Sequence, residues 1–162
     1  MVHADRASDR MKEFRVCTTP QETFELGEEI GRGLRAGDAV LLHGGLGAGK
    51  TLLTKGIMHE LDYDVDEVTS PSFALVNLYK TDDLDVYHID LWRIDEGNDA
   101  AFGVGLDEIV ENPNAVVIIE WAEKLGGFRF PSRTFDISIE GDGEMDRRIA
   151  IRRMEQFQDK FV

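Results

Sequence analysis

The chain has 162 residues, enough for one domain with a single hydrophobic core, and its balance of 42% hydrophobic and 31% charged residues is that of a soluble globular protein. Its formal net charge is −14, carried by residues 1–124 with 25 acidic against 11 basic side chains, while the remainder holds seven of each. The acidic body excludes a broad surface for polyanions, the single Cys17 excludes an internal disulfide, and no apolar run has the length of a membrane helix.

Residues 1–13 mix charges of both signs and lack the apolar stretch of a signal peptide, so a disordered leader is expected, followed by one domain over residues 14–162 in the cytoplasm. FRVCTT, residues 14–19, is expected to form a first strand. TPQETFELGEEIGRGL then reads as a helix. Thr19 is its N-cap, Pro20 suits the first helical position, and Glu22 stands where a capping box needs an acid. Phe24, Leu26, Ile30 and Leu34 supply its apolar side, and Gly37 leads into the strand DAVLLH.

That strand feeds GGLGAGKT, residues 44–51, which fits G-x-x-x-x-G-K-[ST]. A phosphate chain is cradled by inward-turned backbone N–H groups, and side chains would block the approach, hence the glycines. Lys50 supplies a mobile positive charge for β and γ phosphates, and Thr51 offers a hydroxyl to Mg²⁺. The helix KTLLTKGIMHEL aims its N-terminus at the same anion. Strand, loop and helix stand in the order that phosphate binding requires.

Asp62, Asp64, Asp66 and Glu67 follow in a solvated acidic loop without calcium-loop spacing. VTSPSF, residues 68–73, is either a plain turn around Pro71 or a segment whose hydroxyls reach a phosphate or metal. FALVNLYK and LDVYHIDLWRI are expected to form a hairpin turning at Asp82 and Asp83. His88 and Asp90 share one strand face, while Arg93, three residues past Asp90, points to the other. GNDAAFGVGLDEIV, residues 97–110, is a weak helix interrupted by Gly103 and Gly105. NAVVIIEWAEKL contains an unbroken apolar run, the mark of a buried parallel strand. The run ends in Glu120, where open α/β sheets bind ligands. The tail pairs RTFDISIE with RRIAIRRM in an antiparallel hairpin at the sheet edge. Arg147, Arg148, Arg152 and Arg153 make it either a charge-protected edge or a docking surface.

GGLGAGKT, VTSPSF, YHIDLWR and IEWAEK, in that order, resemble the TsaE (YjeE) family of small bacterial P-loop ATPases needed to make threonylcarbamoyladenosine in tRNA. The resemblance implies an α/β P-loop NTPase fold, with a mainly parallel central sheet flanked by helices and with added antiparallel strands. It implies that Gly45, Leu46, Gly47, Ala48, Gly49, Lys50, Thr51 and Leu52 hold ATP or ADP. Thr51, Asp90 and Glu120 would serve Mg²⁺, and Lys50, Asp90 and Glu120 the catalysis. Thr69, Ser70, Pro71 and Ser72 would form a switch near the γ-phosphate, and Trp121 would mark the site or a partner surface. TsaD-like and TsaB-like partners are implied, with tRNA acted on indirectly and no membrane. Gly45, Trp92 and Ser72 depart from the family's usual Asp, Tyr and Thr.

The expected reaction is attack of water on the γ-phosphate, with Glu120 or Asp90 orienting or deprotonating that water. No arginine finger is evident near these motifs, so hydrolysis should be slow until a partner completes the site. A small-molecule kinase would need a lid of clustered arginines, yet between Lys55 and Arg129 only Lys80, Arg93 and Lys124 are basic. A non-hydrolysing ATP-binding adaptor is the other alternative. A metal hydrolase built on His88 and Asp90 lacks a spaced third ligand, and no Asn/Thr-Lys-x-Asp motif reads guanine.

Overall fold

Residues 12–95 and 100–155 are described, in a computed structural model. In chain order they form β1 (Lys12–Cys17), α1 (Pro20–Arg32), β2 (Ala39–His43), α2 (Lys50–Glu60), β3 (Val76–Lys80) and β4 (Asp85–Asp90). Then come α3 (Ala100–Gly103), α4 (Leu106–Ile109), β5 (Ala115–Glu120), β6 (Thr134–Glu140) and β7 (Arg147–Met154). Single 3-10 turns occupy Val65–Glu67 and Ala122–Leu125.

The strands make one mixed sheet in the order β1-β7-β6-β2-β5-β4-β3. The inner four, β6, β2, β5 and β4, run parallel; β3 pairs antiparallel with β4, β7 with β6, and β1 with β7. Every residue of β5 is buried. Val116 and Ile118 pack with Leu26 and Ile30 of α1 and Leu53 and Ile57 of α2. Val117 and Ile119 pack on the other face with Leu106, Ala101 and Leu125. A strand covered on both sides has no use for polar alternation, which is why its sequence is uniformly apolar until Glu120.

Helix α1 begins as its sequence dictates. The Thr19 side-chain oxygen accepts the Glu22 N–H at 3.1 Å, and Pro20 takes the first helical position. The Glu22 carboxylate, however, reaches one residue further back than a capping box would, accepting the N–H and hydroxyl of Thr18. Those hydrogen bonds hold the Glu22 carboxyl below its ordinary range. Helices α1 and α2 cross backbone to backbone. A Cβ on Gly31 would lie 2.8 Å from the Ile57 carbonyl oxygen, and one on Gly56 would overlap that of Phe24.

Several boundaries differ from the sequence expectation. Residues 1–11 of the expected leader lie outside the described residues, and Lys12 and Glu13 belong to β1. Strand β1 stops at Cys17 because Thr18 and Thr19 serve the helix start. Strand β3 begins at Val76, since residues 72–75 turn, with Leu75 at φ 69° donating its N–H to Pro71. Strand β4 ends at Asp90, whose carboxylate takes the Trp92 N–H at 2.8 Å and bends the chain out of the sheet. The weak helix is two short ones parted by Gly105 at φ 73°, and residues 97–99 lie outside the described set. The tail hairpin is present, but β7 is not the edge: β1 pairs along its outer side.

Candidate functional site

The C-terminal end of β2 opens into the 44–51 loop. Gly49, at φ 106°, caps α2 with no side chain, a conformation that favours glycine, so the first N–H groups of an eleven-residue helix face outward without a side-chain cap. Lys50 folds back over the loop, its Nζ donating to Gly44 O at 2.6 Å and Gly45 O at 2.8 Å. The ammonium also sits 4.3 Å from the centre of the Trp121 ring. Burial pushes the Lys50 pKa down, against the opposing pull of Glu120, Glu123 and Asp90.

Asp90 and Glu120 are register partners at the C-terminal ends of the parallel strands β4 and β5, and both are buried. The Thr51 hydroxyl donates to Glu120 Oε1 at 3.3 Å. Asp90 Oδ2 accepts Ser70 Oγ at 2.8 Å and Ser72 Oγ at 3.2 Å. The fold thus joins four motifs that are far apart in sequence. Thr69 enters only through its main chain, with an exposed side chain, and Pro71 is buried. These groups line a cleft of about 560 Å³ running from Leu46 to Leu52 and across Ser70, Ser72, Phe73, Asp90, Trp92, Arg93, Glu120 and Trp121.

Trp121 holds a left-handed backbone, φ 59° and ψ 41°, rare for a bulky residue. Its ring lies 4.5 Å from that of Trp92, and Lys124 donates to the carbonyls of Trp92 and Ile94 at 2.6 and 3.0 Å. The residue expected to mark the site is therefore part of its wall.

Four residues take places that the sequence did not assign. Arg93 lines the cleft, stacked 4.3 Å from the Phe73 ring centre. The expectation that it points away from Asp90 fails because the strand ends at Asp90. Arg147 braces the phosphate loop from β7, its Nε donating to Ala48 O at 2.9 Å and Nη2 to Gly47 O at 3.1 Å. His88 is fully buried between Glu120 Oε2, at 2.6 Å from Nε2, and the Tyr79 hydroxyl, at 3.0 Å from Nδ1. The shared strand face of His88 and Asp90 was the available signal. His43, just before the loop, pairs with Asp136 and lies 3.3 Å from Glu123, and chiefly the Asp136 hydrogen bond raises its pKa.

No helix among the described residues is long and apolar enough to cross a membrane. A family model described as threonylcarbamoyl adenosine biosynthesis protein TsaE matches residues 17–149. The tRNA threonylcarbamoyladenosine biosynthesis protein TsaE of Mycobacterium tuberculosis (strain H37Rv) is 36% identical over 136 residues, covering 80% of each chain. That of Treponema pallidum is 35% identical, covering 84% of this chain and 97% of the relative. A crystal structure of Bacillus subtilis YdiB superposes with a TM-score of 0.67 at 28% identity, over 87% of this chain and 84% of that one. With the phosphate loop, the Ser-Pro-Ser segment, the His-x-Asp strand end and the Glu-Trp pair gathered in one cleft, the chain belongs to the TsaE family.

Proposed function

We propose that this protein binds ATP with Mg²⁺ and hydrolyses it to ADP and phosphate, as a nucleotide-driven switch on a TsaD–TsaB-like complex that installs threonylcarbamoyladenosine in tRNA. The observation that carries the reading is the convergence of the Thr51 hydroxyl with the Glu120 and Asp90 carboxylates at the mouth of the 44–51 loop. Family membership and the names of the relatives supply the pathway. A P-loop NTPase fold and a cytoplasmic location belong to the same reading, with tRNA acted on indirectly.

The donors near Thr51 are all oxygens, a hydroxyl and two carboxylates, and such hard ligands suit Mg²⁺. Thr51, Glu120 and Asp90 would hold the ion, directly or through water. Bound with the nucleotide, Mg²⁺ would neutralise charge on the β and γ phosphates. The loop N–H groups and the α2 N-terminus take the remaining phosphate charge. Lys50 exchanges the Gly44 and Gly45 carbonyls for phosphate oxygens. Asp90 already accepts three hydrogen bonds, from Ser70, Ser72 and Trp92. Among the described residues Glu120 Oε1 meets only the distant Thr51 hydroxyl. That contrast favours Glu120 as the group that aims water and Asp90 as the anchor of the switch. A neighbouring pocket of about 250 Å³, bordered by Thr23, Leu52, Met145 and Arg147, offers room for the base.

Exposed Leu46 and Phe73, 70% and 84% accessible, rim the cleft and fit a partner that closes it. The test is Glu120→Ala in the presence of TsaD-like and TsaB-like proteins. Nucleotide binding should persist while phosphate release stops. A wild-type protein that binds ATP and releases no phosphate even with partners would instead be an adaptor.

A further inference from the structure

Two side chains unused by the chemistry above stand directly behind Glu120. His88 Nε2 lies 2.6 Å from Glu120 Oε2, and its Nδ1 faces the Tyr79 hydroxyl of β3 at 3.0 Å. That hydroxyl lies 3.0 Å from the Thr69 carbonyl oxygen, while the Thr69 N–H approaches it at 3.4 Å. A hydrogen-bonded line therefore runs from Thr51 through Glu120, His88 and Tyr79 to the main chain of the 68–73 segment. Buried polar lines are costly unless every member is satisfied, and among the described residues no buried side-chain polar atom lacks a partner. This one ends on the segment that carries Ser70 and Ser72, with Asn77 Nδ2 of β3 also approaching the Tyr79 hydroxyl at 3.4 Å and the Thr69 carbonyl at 3.3 Å.

The protons can be counted. A carboxylate has none to give, so His88 donates Nε2–H to Glu120. In the neutral imidazole Nδ1 is then an acceptor, and the donor it faces is the Tyr79 O–H. The same single proton is claimed by the Thr69 carbonyl at the same distance. We infer that His88 and Tyr79 are positioning residues that couple the aim of the Glu120 carboxylate to the position of Thr69. The inference rests on the ATPase reading. While Thr69 stays docked, its carbonyl competes with the His88 ring for the hydroxyl proton. When the segment moves toward a γ-phosphate, the carbonyl withdraws and the proton serves Nδ1 alone. That polarises the ring, tightens the bond to Oε2 and leaves Oε1 aimed at water. No proton enters or leaves, and no new charge is buried.

Tyr79→Phe tests this with little change in packing, since the ring and its contact with Tyr63 remain. His88→Gln keeps an N–H near Glu120 but drops the link to Tyr79. Two readouts are taken: ATP turnover with partners, and amide hydrogen exchange of residues 69–73 in ADP against a non-hydrolysable ATP analogue. Tyr79→Phe should lower kcat about tenfold, the effect of one hydrogen bond. KM and ADP affinity should stay within about twofold, and the exchange difference between the two nucleotides should vanish. His88→Gln should retain more turnover than His88→Leu while also losing that exchange difference. Unchanged kcat with an intact exchange difference in Tyr79→Phe would overturn the coupling. So would parallel losses of turnover, nucleotide affinity and melting temperature, which mark plain packing. If the wild type shows no turnover with partners, the ATPase reading falls by itself, and the exchange comparison still decides the coupling.

Discussion

Asp90 and Glu120 face each other across β4 and β5, yet one carboxylate answers to the hydroxyls of Ser70 and Ser72 and the other to Thr51 on α2. The division predicts different failures from two equally small changes. Glu120→Gln should cut phosphate release by roughly a hundredfold or more while leaving ADP binding nearly intact. Asp90→Asn should lower turnover too, but it should also loosen the 68–73 segment, seen as faster proteolytic nicking there without nucleotide. Equal nicking of both variants would contradict the division.

Arg147 is the prop under the phosphate loop. Removing its side chain leaves the Ala48 and Gly47 carbonyls to water and frees the loop to wander. Arg147→Ala should weaken ADP binding roughly five- to tenfold, the worth of about one ordinary hydrogen bond. The melting temperature should move little. Titration calorimetry beside a thermal melt separates the two effects.

Gly56 lies where α1 and α2 touch. An added methyl would meet the Phe24 carbonyl oxygen and come within 3.0 Å of Gly27 Cα, neither of which is a flexible side-chain end. Gly56→Ala should destabilise the fold by about 2 kcal/mol despite the better helix propensity of alanine. Urea unfolding measures the loss, and a stabilised variant would show that the helices can part freely.

His43 gives the molecule a pH-dependent bond beside the loop. Its pKa is raised in the folded state, first by the hydrogen bond to Asp136. A raised imidazole pKa stabilises the fold fully below the unfolded value, and the gain fades as pH climbs through the folded value. The stability difference between wild type and His43→Gln should therefore be largest at about pH 6 and shrink toward alkaline pH, by urea titrations across the range. A difference that grows with pH would be the wrong sign.

The phosphate loop, the capped α1 and the acid ending β5 were legible because each is written in adjacent residues: glycine spacing, a Thr-Pro start, an apolar run. The joining of Thr51 to Glu120 came only from the family resemblance, since it depends on β2 and β5 lying side by side in one register. Arg93 was misplaced for a local reason. Its strand alternation was carried past Asp90, where the carboxylate in fact caps a turn. His88 and Arg147 were visible as residues but not as partners, because their contacts cross between strands and from the tail to the loop. Strand order explains the last difference: nothing in RRIAIRRM says that β1 lies outside it.

The glycine contact between α1 and α2 has a mechanical consequence. Side chains at an interface can repack, but two backbones in touch leave no slack, so the helix bearing Lys50 and Thr51 is a fixed datum. Under the proposed switch, nucleotide-dependent displacement falls on the opposite wall, where Ser70, Ser72 and Trp121 lie outside helix and strand. On that reading the molecule would work like a vice with one stationary jaw, and a partner that reads its state would grip the other.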